Sequence, residues 1–337
     1  MNSMKRLKTA GLLCAALFLF VMSGAAQTKD DVINAFNAGA QAAKANDFAK
    51  AVASFQQVID MGTKVGAESD TLRKNAEKYI PGLQWKLAAS IYQNAASSNA
   101  DKIAAFQKAK DLADKYGDAA TSAQVTGLMP KIYTGMAAAA YKANDLPGAI
   151  GYFDKVIELD PNNIQAYFNK AVIYKKQNNF DAMVQAYTKT IEMATKTNDT
   201  LTIRKSKVNL ASEYMSLATA TYLKGDTKGT LAPLQESLKY NDKDPQAYYI
   251  LADTQNKLKE YDAALEAVTK GLQYENAANK ELVARFYLQQ GVAYAGKNEK
   301  EKAVESFKLA SVGKYVPTAQ AYIKGLTAKP VAAPVKK

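Results

Sequence analysis

Histidine is absent from this 337-residue chain, and cysteine occurs once, at Cys14. Without imidazole there can be no Ser-His catalytic triad, no His-based acid–base catalysis and no histidine metal site. Cys14 lies in an N-terminal targeting segment, so the rest of the chain has no disulfide and no thiol chemistry, which is compatible with an oxidising compartment. A metal would need carboxylates alone, and no EF-hand-like acidic loop is present. We predict no catalytic residue, no metal site and no cofactor.

Motifs that cradle phosphates or activate a nucleophile are also missing. The chain has no Gly-x-x-x-x-Gly-Lys, no Gly-x-Ser-x-Gly and no Gly-x-Gly-x-x-Gly opening a helix. Neighbouring carboxylates such as Glu158 and Asp160 fall in predicted turns or on exposed faces, where solvated charge is the simpler interpretation. The sequence therefore predicts a protein that is not an enzyme.

Arginine is scarce, because only Arg6, Arg73, Arg204 and Arg285 occur and lysine supplies the other basic residues. Three of the 44 basic residues lie in the first 26 positions, which leaves 41 against 32 acidic residues and a net charge of +9. Few guanidinium groups are available to recognise phosphate and guanine, so we predict no nucleic-acid partner. Scattered lysines are typical of a solvated surface. Association with an anionic glycan or membrane surface is the alternative.

Residues 1–26 have the pattern of a bacterial signal peptide. Lys5, Arg6 and Lys8 precede a short apolar run from Leu12 to Met22, and small residues follow before Gln27. The run is shorter than the roughly 18–20 apolar residues of a membrane-spanning helix, although an uncleaved anchor is the alternative. A lipid anchor is rejected because the apolar run continues past Cys14. We expect export to the bacterial periplasm or cell envelope, with no transmembrane segment in the mature chain.

A unit of helical sequence, a polar turn, an alanine and an aromatic residue recurs seven times. The clearest copy runs from the turn at Asn144 and Asp145 through Ala149 and Phe153 to Asp160. The units begin at residues 32, 81, 130, 164, 211, 245 and 284. Their apolar positions recur at helical spacing and form one stripe on each helix. Neither helix of a unit can bury that stripe alone, so neighbouring units must stack.

These units resemble tetratricopeptide repeats, which are helix–turn–helix modules of 34 residues. The resemblance implies an all-α, right-handed α-solenoid of about seven tetratricopeptide-like helix pairs with a C-terminal capping helix at Pro317 to Leu326. It implies a solenoid over residues 27–326 and a disordered tail over 327–337. Extra helical sequence precedes three of the units, from Ser69, Asp118 and Asp199. We interpret each extension as the N-terminal part of the next first helix; the alternative is a separate short helix.

In this family, positions 5, 9, 12 and 13 of each first helix line a concave face where peptides bind. The resemblance therefore implies a partner-binding groove that accepts protein or peptide ligands. Its predicted residues are Trp85, Tyr92, Thr134, Tyr141, Lys142, Phe168, Lys175, Lys176, Met215, Tyr222, Tyr249, Asn256 and Lys257.

Two interpretations of these side chains stay open. Large apolar residues and lysines suit an extended peptide, and an acidic or carboxy-terminal one would complement the lysines. The alternative is that the aromatics pack against the neighbouring repeat. The lysine–asparagine clamp with which the family binds terminal carboxylates is not rebuilt, because Thr134 and Phe168 stand at its positions. We predict a non-enzymatic interaction scaffold.

Overall fold

The computed structural model describes residues 27–328, and this part of the chain forms fifteen α-helices and no strand. The predicted signal peptide and residues 329–337 of the predicted tail lie outside the described residues. The helices are α1 Lys29–Lys44, α2 Phe48–Val65, α3 Asp70–Gln93, α4 Asn99–Lys115, α5 Ala119–Lys142, α6 Leu146–Leu159, α7 Ile164–Lys176, α8 Phe180–Lys196, α9 Thr200–Leu223, α10 Thr227–Tyr240, α11 Pro245–Lys257, α12 Tyr261–Tyr274, α13 Lys280–Gly296, α14 Lys300–Ala310 and α15 Val316–Thr327. The predicted all-α class and succession of helix pairs are confirmed.

Two compact units divide the chain between Met136 and Ala137, inside helix α5. In the first unit, α1 packs on α2, α2 packs on α3 and α3 packs on α4. Phe55 is at the centre of this packing, with the ring of Phe36 edge-on at 5.3 Å. Gly39 allows this arrangement, because a Cβ there would lie about 3.1 Å from the Phe55 ring.

In the second unit, each helix from α6 to α15 packs on the next. First helices also contact first helices, since α11 touches both α9 and α13. The pattern of large side chains against small ones recurs here: Phe307 of α14 is fully buried and its ring lies against Gly291 of α13. Only neighbours in the chain contact one another extensively, which is the packing of a repeat protein.

A two-residue turn motif precedes the second helix of most pairs. The first residue has a positive φ, as at Asn144 (61°) and Gly225 (75°). The next residue is an aspartate before α2, α6 and α10, and an asparagine or a glutamate before α8, α12 and α14. Asp145 accepts a hydrogen bond from the Gly148 amide, and Asp226 does the same for Gly229. Asparagine and glycine tolerate the left-handed conformation, and aspartate is a preferred N-cap. These turns explain why one helix stops and the next begins within three residues.

The extensions are not separate helices. Helices α3, α5 and α9 each run for 24 residues, and Pro81 and Pro130 lie inside α3 and α5. Pro81 is buried, so its ring contributes apolar packing that offsets the lost backbone hydrogen bond. The C-terminal helix is one residue longer at each end than predicted, and it packs on α14.

Candidate functional site

The first helices α7, α9, α11 and α13, with residues 137–142 of α5, stand side by side in the second unit. We call them the first-helix row. Side chains bridge every neighbouring pair in the row. The Lys175 ammonium of α7 lies 2.7 Å from the Glu213 carboxylate of α9. The predicted groove residues of the second unit therefore lie on this row.

Two tyrosine–lysine pairs repeat along this row with the same spacing. The Lys176 ammonium lies 4.8 Å from the ring centre of Tyr141, and the Lys257 ammonium lies 4.6 Å from that of Tyr222. In both pairs, tyrosine at position 12 of one repeat meets lysine at position 13 of the next. A cation over an aromatic face contributes about 0.5–2 kcal/mol, depending on its exposure. Four of the predicted groove residues thus join neighbouring repeats.

A polar network links α9, α11 and α13 around Asp253. The Tyr222 hydroxyl donates to Asp253 Oδ2 at 2.7 Å, and Gln289 Nε2 donates to Oδ1 at 3.1 Å. The Lys257 ammonium pairs with the same carboxylate at 2.7 Å. Asn256, which is buried, donates to the Gln289 carbonyl and side chain at 2.9 and 3.0 Å. Every bond in this network is made within the protein.

Burial and this network perturb Tyr222 and Tyr249 of the row, and burial perturbs Tyr187 of the adjacent helix α8. Burial, followed by the hydrogen bond to Asp253, raises the pKa of Tyr222. Burial also raises the pKa of Tyr249, with a smaller contribution from Asp253. Burial beside α9 raises the pKa of Tyr187 to about 12, with Glu213 adding to the effect. All three phenols stay protonated at neutral pH. The Tyr222 hydroxyl acts as a hydrogen-bond donor, whereas the buried Tyr187 hydroxyl has no partner in the described part of the chain.

Replacing Tyr222 with phenylalanine is expected to lower the free energy of unfolding by about 1 kcal/mol, because one hydrogen bond to a carboxylate is lost while Asp253 keeps two partners. Tyr174→Phe is the matched control, since its hydroxyl has no hydrogen-bond partner among the described residues. Urea unfolding of both variants and the parent chain measures the difference. Equal effects of the two substitutions would contradict the role given to the Asp253 network.

The other predicted residues divide into packed and open ones. Phe168 lies edge-on to the Tyr187 ring at 5.6 Å, and Tyr249 lies edge-on to Phe286 at 6.0 Å. Lys142 is exposed. In the first unit, the Tyr92 ring packs on Phe106, and the Thr134 hydroxyl donates to the Pro130 carbonyl at 2.8 Å. Trp85 is half-buried, and its indole N–H has no hydrogen-bond partner in the described structure.

Met215 lines an open groove along α9. This α9 groove has a volume of about 640 Å³. Its lining consists of Val208, Ala211, Ser212, Met215, Ser216, Thr219, Ala220 and Leu223 of α9, with Asn241 and Asp244 from the turn before α11. The large apolar side chains stand free, because Val208 is 61% and Leu223 is 78% exposed.

Small residues form the floor of the α9 groove, and two of its three hydroxyl protons, those of Ser216 and Thr219, are already engaged. Ser216 donates to the Ser212 carbonyl at 2.9 Å, and Thr219 donates to the Met215 carbonyl at 2.8 Å. The floor is therefore mainly apolar towards a ligand. Arg204 and Lys205 are exposed one turn before Val208, and neither forms an ion pair within the described part of the chain. A partner would meet an apolar strip with positive charge at one end.

Sequence reasoning missed several residues that organise this face. Asp253 is at position 9 of its repeat, inside the predicted stripe. Its carboxylate among tyrosines could therefore have indicated the polar network from the sequence. Gln289 and Arg285 lie at positions 6 and 2 of the next repeat, outside the stripe, and Glu275 lies in a turn. Val208 precedes the repeat start at residue 211. It joins the groove only because α9 continues unbroken through its extension.

Within residues 27–328, no group of three or more acidic, cysteine or histidine side chains could hold a metal ion. No helix in the same range is both long and apolar enough to cross a membrane.

Comparisons with known proteins identify the repeat. One tetratricopeptide-repeat family model matches residues 152–185, and another matches residues 245–277 and 284–311. The last two matches begin at the repeat starts predicted from the sequence. A stretch of 59 residues is 44% identical to stress-induced-phosphoprotein 1 of Caenorhabditis elegans. That stretch covers 18% of this chain and 18% of the relative, so less than a fifth of the relative's length is matched.

Three solved structures are similar at TM-scores near 0.3, which are too low to support any argument about function. The crystal structure of YrrB, a tetratricopeptide-repeat protein with an unusual peptide-binding site, is 21% identical with a TM-score of 0.32; the match covers 58% of this chain and 90% of YrrB. A repeat protein from Parabacteroides merdae is 13% identical with a TM-score of 0.29 and coverage of 88% and 99%. The TPR2AB domain of yeast Sti1, in a pHSP90 complex, is 12% identical with a TM-score of 0.32 and coverage of 89% and 100%.

Repeated helix pairs, the small-against-aromatic packing between them and the three family-model matches agree with one another. The chain contains tetratricopeptide repeats, which family models match at residues 152–185, 245–277 and 284–311.

Proposed function

We propose that this chain is a non-enzymatic interaction scaffold that binds a segment of a partner protein in the α9 groove. The observation that supports this most directly is the apolar strip formed by the exposed side chains of Val208 and Leu223 with the half-buried Met215 between them. Contiguous exposed apolar surface on a soluble domain marks an interaction site more often than scattered apolar residues do. Stacked helix repeats build such extended binding surfaces.

The dimensions of the α9 groove suit a short segment. From Val208 to Leu223 the helix rises about 22 Å, which equals about four turns of a partner helix or six to seven residues of extended peptide. The floor of small residues lets a partner backbone approach closely, and the flanking apolar side chains suit apolar anchors. The lysine–asparagine clamp with which the family binds terminal carboxylates plays no part in this arrangement.

The remainder of the predicted groove has a different role in this proposal. Tyr141, Lys176, Tyr222, Asn256 and Lys257 hold neighbouring repeats together, so they shape the face rather than meet the ligand. Substituting them would alter binding indirectly, through the alignment of α9 with α7 and α11. Trp85, Tyr92 and Thr134 belong to the first unit, and their part in binding stays a prediction.

A photoreactive amino acid at Ser212 tests the proposal in living cells. We expect it to cross-link a defined partner, and Met215→Asp in the same chain should abolish the product, because a charge among the apolar side chains that line the groove excludes apolar anchors. Gln235, which is exposed on the second helix α10, is the control position for the cross-linker. Identical products from positions 212 and 235, or a product that survives Met215→Asp, would show that the groove does not select the partner.

We also propose that the chain acts after export, in the periplasm or cell envelope. The N-terminal pattern supports this, and it predicts that the purified cellular protein begins at Gln27. N-terminal sequencing after fractionation checks that prediction, and an intact Met1 on cytoplasmic protein would contradict it. The alternative function, retention on an anionic glycan or membrane through lysines, predicts strong weakening by salt. Apolar binding in the α9 groove predicts little salt dependence.

A further inference from the structure

A strip of apolar side chains runs along the whole of helix α9 and includes the α9 groove. Leu201, Val208 and Met215 are spaced by seven residues, and a further apolar residue, Leu223, follows near the end of the helix. Leu201 is 49% exposed, and the exposures of Val208 and Leu223 are higher still. An α-helix turns about 100° per residue, so these side chains fall within about one quarter of its circumference. We call this face the α9 strip, and its spacing is that of a helix-packing seam.

The spacing of the α9 strip matches a partner helix better than an extended peptide. Seven residues of α9 rise about 10.5 Å, and seven residues of a partner helix rise by the same distance. Side chains on one face of an extended segment recur about every 6.7 Å, so they fall out of step with Val208 and Met215. The small residues Ser212 and Thr219 alternate with the large ones and leave holes into which large side chains of a partner helix can insert.

Backbone hydrogen bonding favours a helical partner as well. A helix satisfies its own amides and carbonyls, whereas an extended segment needs partners for them. The α9 backbone is committed to its own helix, and the hydroxyl protons of Ser216 and Thr219 are donated to α9 carbonyls. Asp244, the acidic residue of the groove lining, already accepts from amides in the first turn of α11. The lining therefore offers few free groups to an extended backbone.

Two basic side chains take the place of the small residues at the N-terminal end of the α9 strip. Arg204 and Lys205 lie on its two flanks, each within about 60° of Leu201 around the helix. Both are exposed and form no ion pair within residues 27–328. Asp199, the nearest acidic residue in the sequence, is the N-cap of α9 and accepts from the Thr202 amide. Acidic side chains of a partner at this level would complement the two cations.

We propose that the partner segment in the α9 groove is an amphipathic helix with acidic residues at one end, and that these residues lie against Arg204 and Lys205. Large apolar side chains about seven and fourteen residues further along that helix pack over Ser212 and Thr219. This inference rests on the proposed function and deepens it, because it assigns the conformation, length and charge of the partner. The α9 strip from residue 201 to residue 223 is about 33 Å long, so the partner helix has about 22 residues.

Cross-linking from the two ends of the α9 strip tests the conformation. A photoreactive amino acid replaces Leu201 in one chain and Leu223 in another, and mass spectrometry maps the partner residue that each one captures. We expect both to capture the same partner segment at sites about 22 residues apart, with acidic residues near the site captured from position 201. An extended segment over the same distance would give sites about ten residues apart.

Reversing the two charges tests the acidic end. Arg204→Glu together with Lys205→Glu should lower the yield of the cross-link from position 223 by about tenfold, because each exposed charge pair contributes a few-fold and a reversed charge also repels. Replacing the mapped acidic residues of the partner with lysine should restore the yield, which also shows that the doubly substituted chain is folded. Lys207→Glu is the matched control. Lys207 is exposed on the same helix but points about 120° away from Leu201, so this variant should behave as the parent chain.

Captured sites about ten residues apart would show an extended partner segment. An unchanged yield from the doubly substituted chain, or a captured segment without acidic residues near position 201, would show that the basic end selects nothing. A product made of two copies of this chain would make the occupant a second copy. Each of these results overturns this inference but leaves the α9 groove as a binding site. No defined product from position 212 or position 223 would overturn the proposed function as well.

Discussion

Replacing Arg285 with methionine is expected to lower the free energy of unfolding by about 3–5 kcal/mol, because it leaves a buried carboxylate without its cation. Arg285 Nη2 lies 2.6 Å from Glu275 Oε2, and the two side chains are only 10% and 5% exposed. Arg285 also donates to the Gln246 side chain, and its guanidinium lies 4.8 Å from the ring centre of Tyr249. Methionine preserves much of the volume against the ring, so the loss reports mainly on charge.

A double substitution separates the contribution of the ion pair to stability from the contributions of its two side chains. Glu275→Leu alone should be destabilising for the converse reason, since a guanidinium is then buried without its carboxylate. Arg285→Met with Glu275→Leu should cost much less than the two single costs together, because no buried charge remains. Urea unfolding, supported by hydrogen exchange of the α11 to α13 amides, measures all four proteins. Costs that simply add would show that the pair is not a coupled unit.

The fold was largely predictable because its signals are local and repeated. The turns at Asn144 and Asp145 and at Gly225 and Asp226 combine a left-handed residue with an N-cap, and both preferences are visible in the residue types. What sequence could not decide was the continuity of the long helices. Proline opposes a helix locally, but buried Pro81 is held within α3 by packing that only the tertiary structure supplies.

The sequence indicated which helix face the candidate site residues share, but not the contacts that these residues make. Helical spacing correctly placed Tyr141, Tyr222 and Lys257 on the first-helix row. Helical spacing could not give the distances between adjacent first helices. Those distances are short enough for the tyrosines to contact residues of the next repeat. The open part of the row is α9, where the small residues Ser212 and Ser216 leave space that larger residues fill elsewhere. Small residues carry little signal in a sequence, although they create the groove.

Gly291→Ala is expected to destabilise the protein by about 1–3 kcal/mol, although alanine is the better helix former by about 1 kcal/mol. A Cβ at Gly291 would lie 2.6 Å from two ring carbons of Phe307, well inside contact distance. The ring cannot move away easily, because Phe307 is fully buried and stacks on Tyr322 on α15. The cost therefore measures how tightly the second helix of this repeat is held against the first.

Gly151→Ala in α6 is the matched control, because a Cβ there would meet nothing within 4 Å. Helix propensity acts alone at that position, so the control should stabilise the protein by about 0.5–1 kcal/mol. Thermal and urea unfolding of the two variants should thus move in opposite directions. If both variants were stabilised, Phe307 would be free to shift, and α15 could not be fixed by its stack on that ring. Opposite signs would establish that steric fit between a small residue and an aromatic ring, rather than helix propensity, sets the spacing of this helix pair.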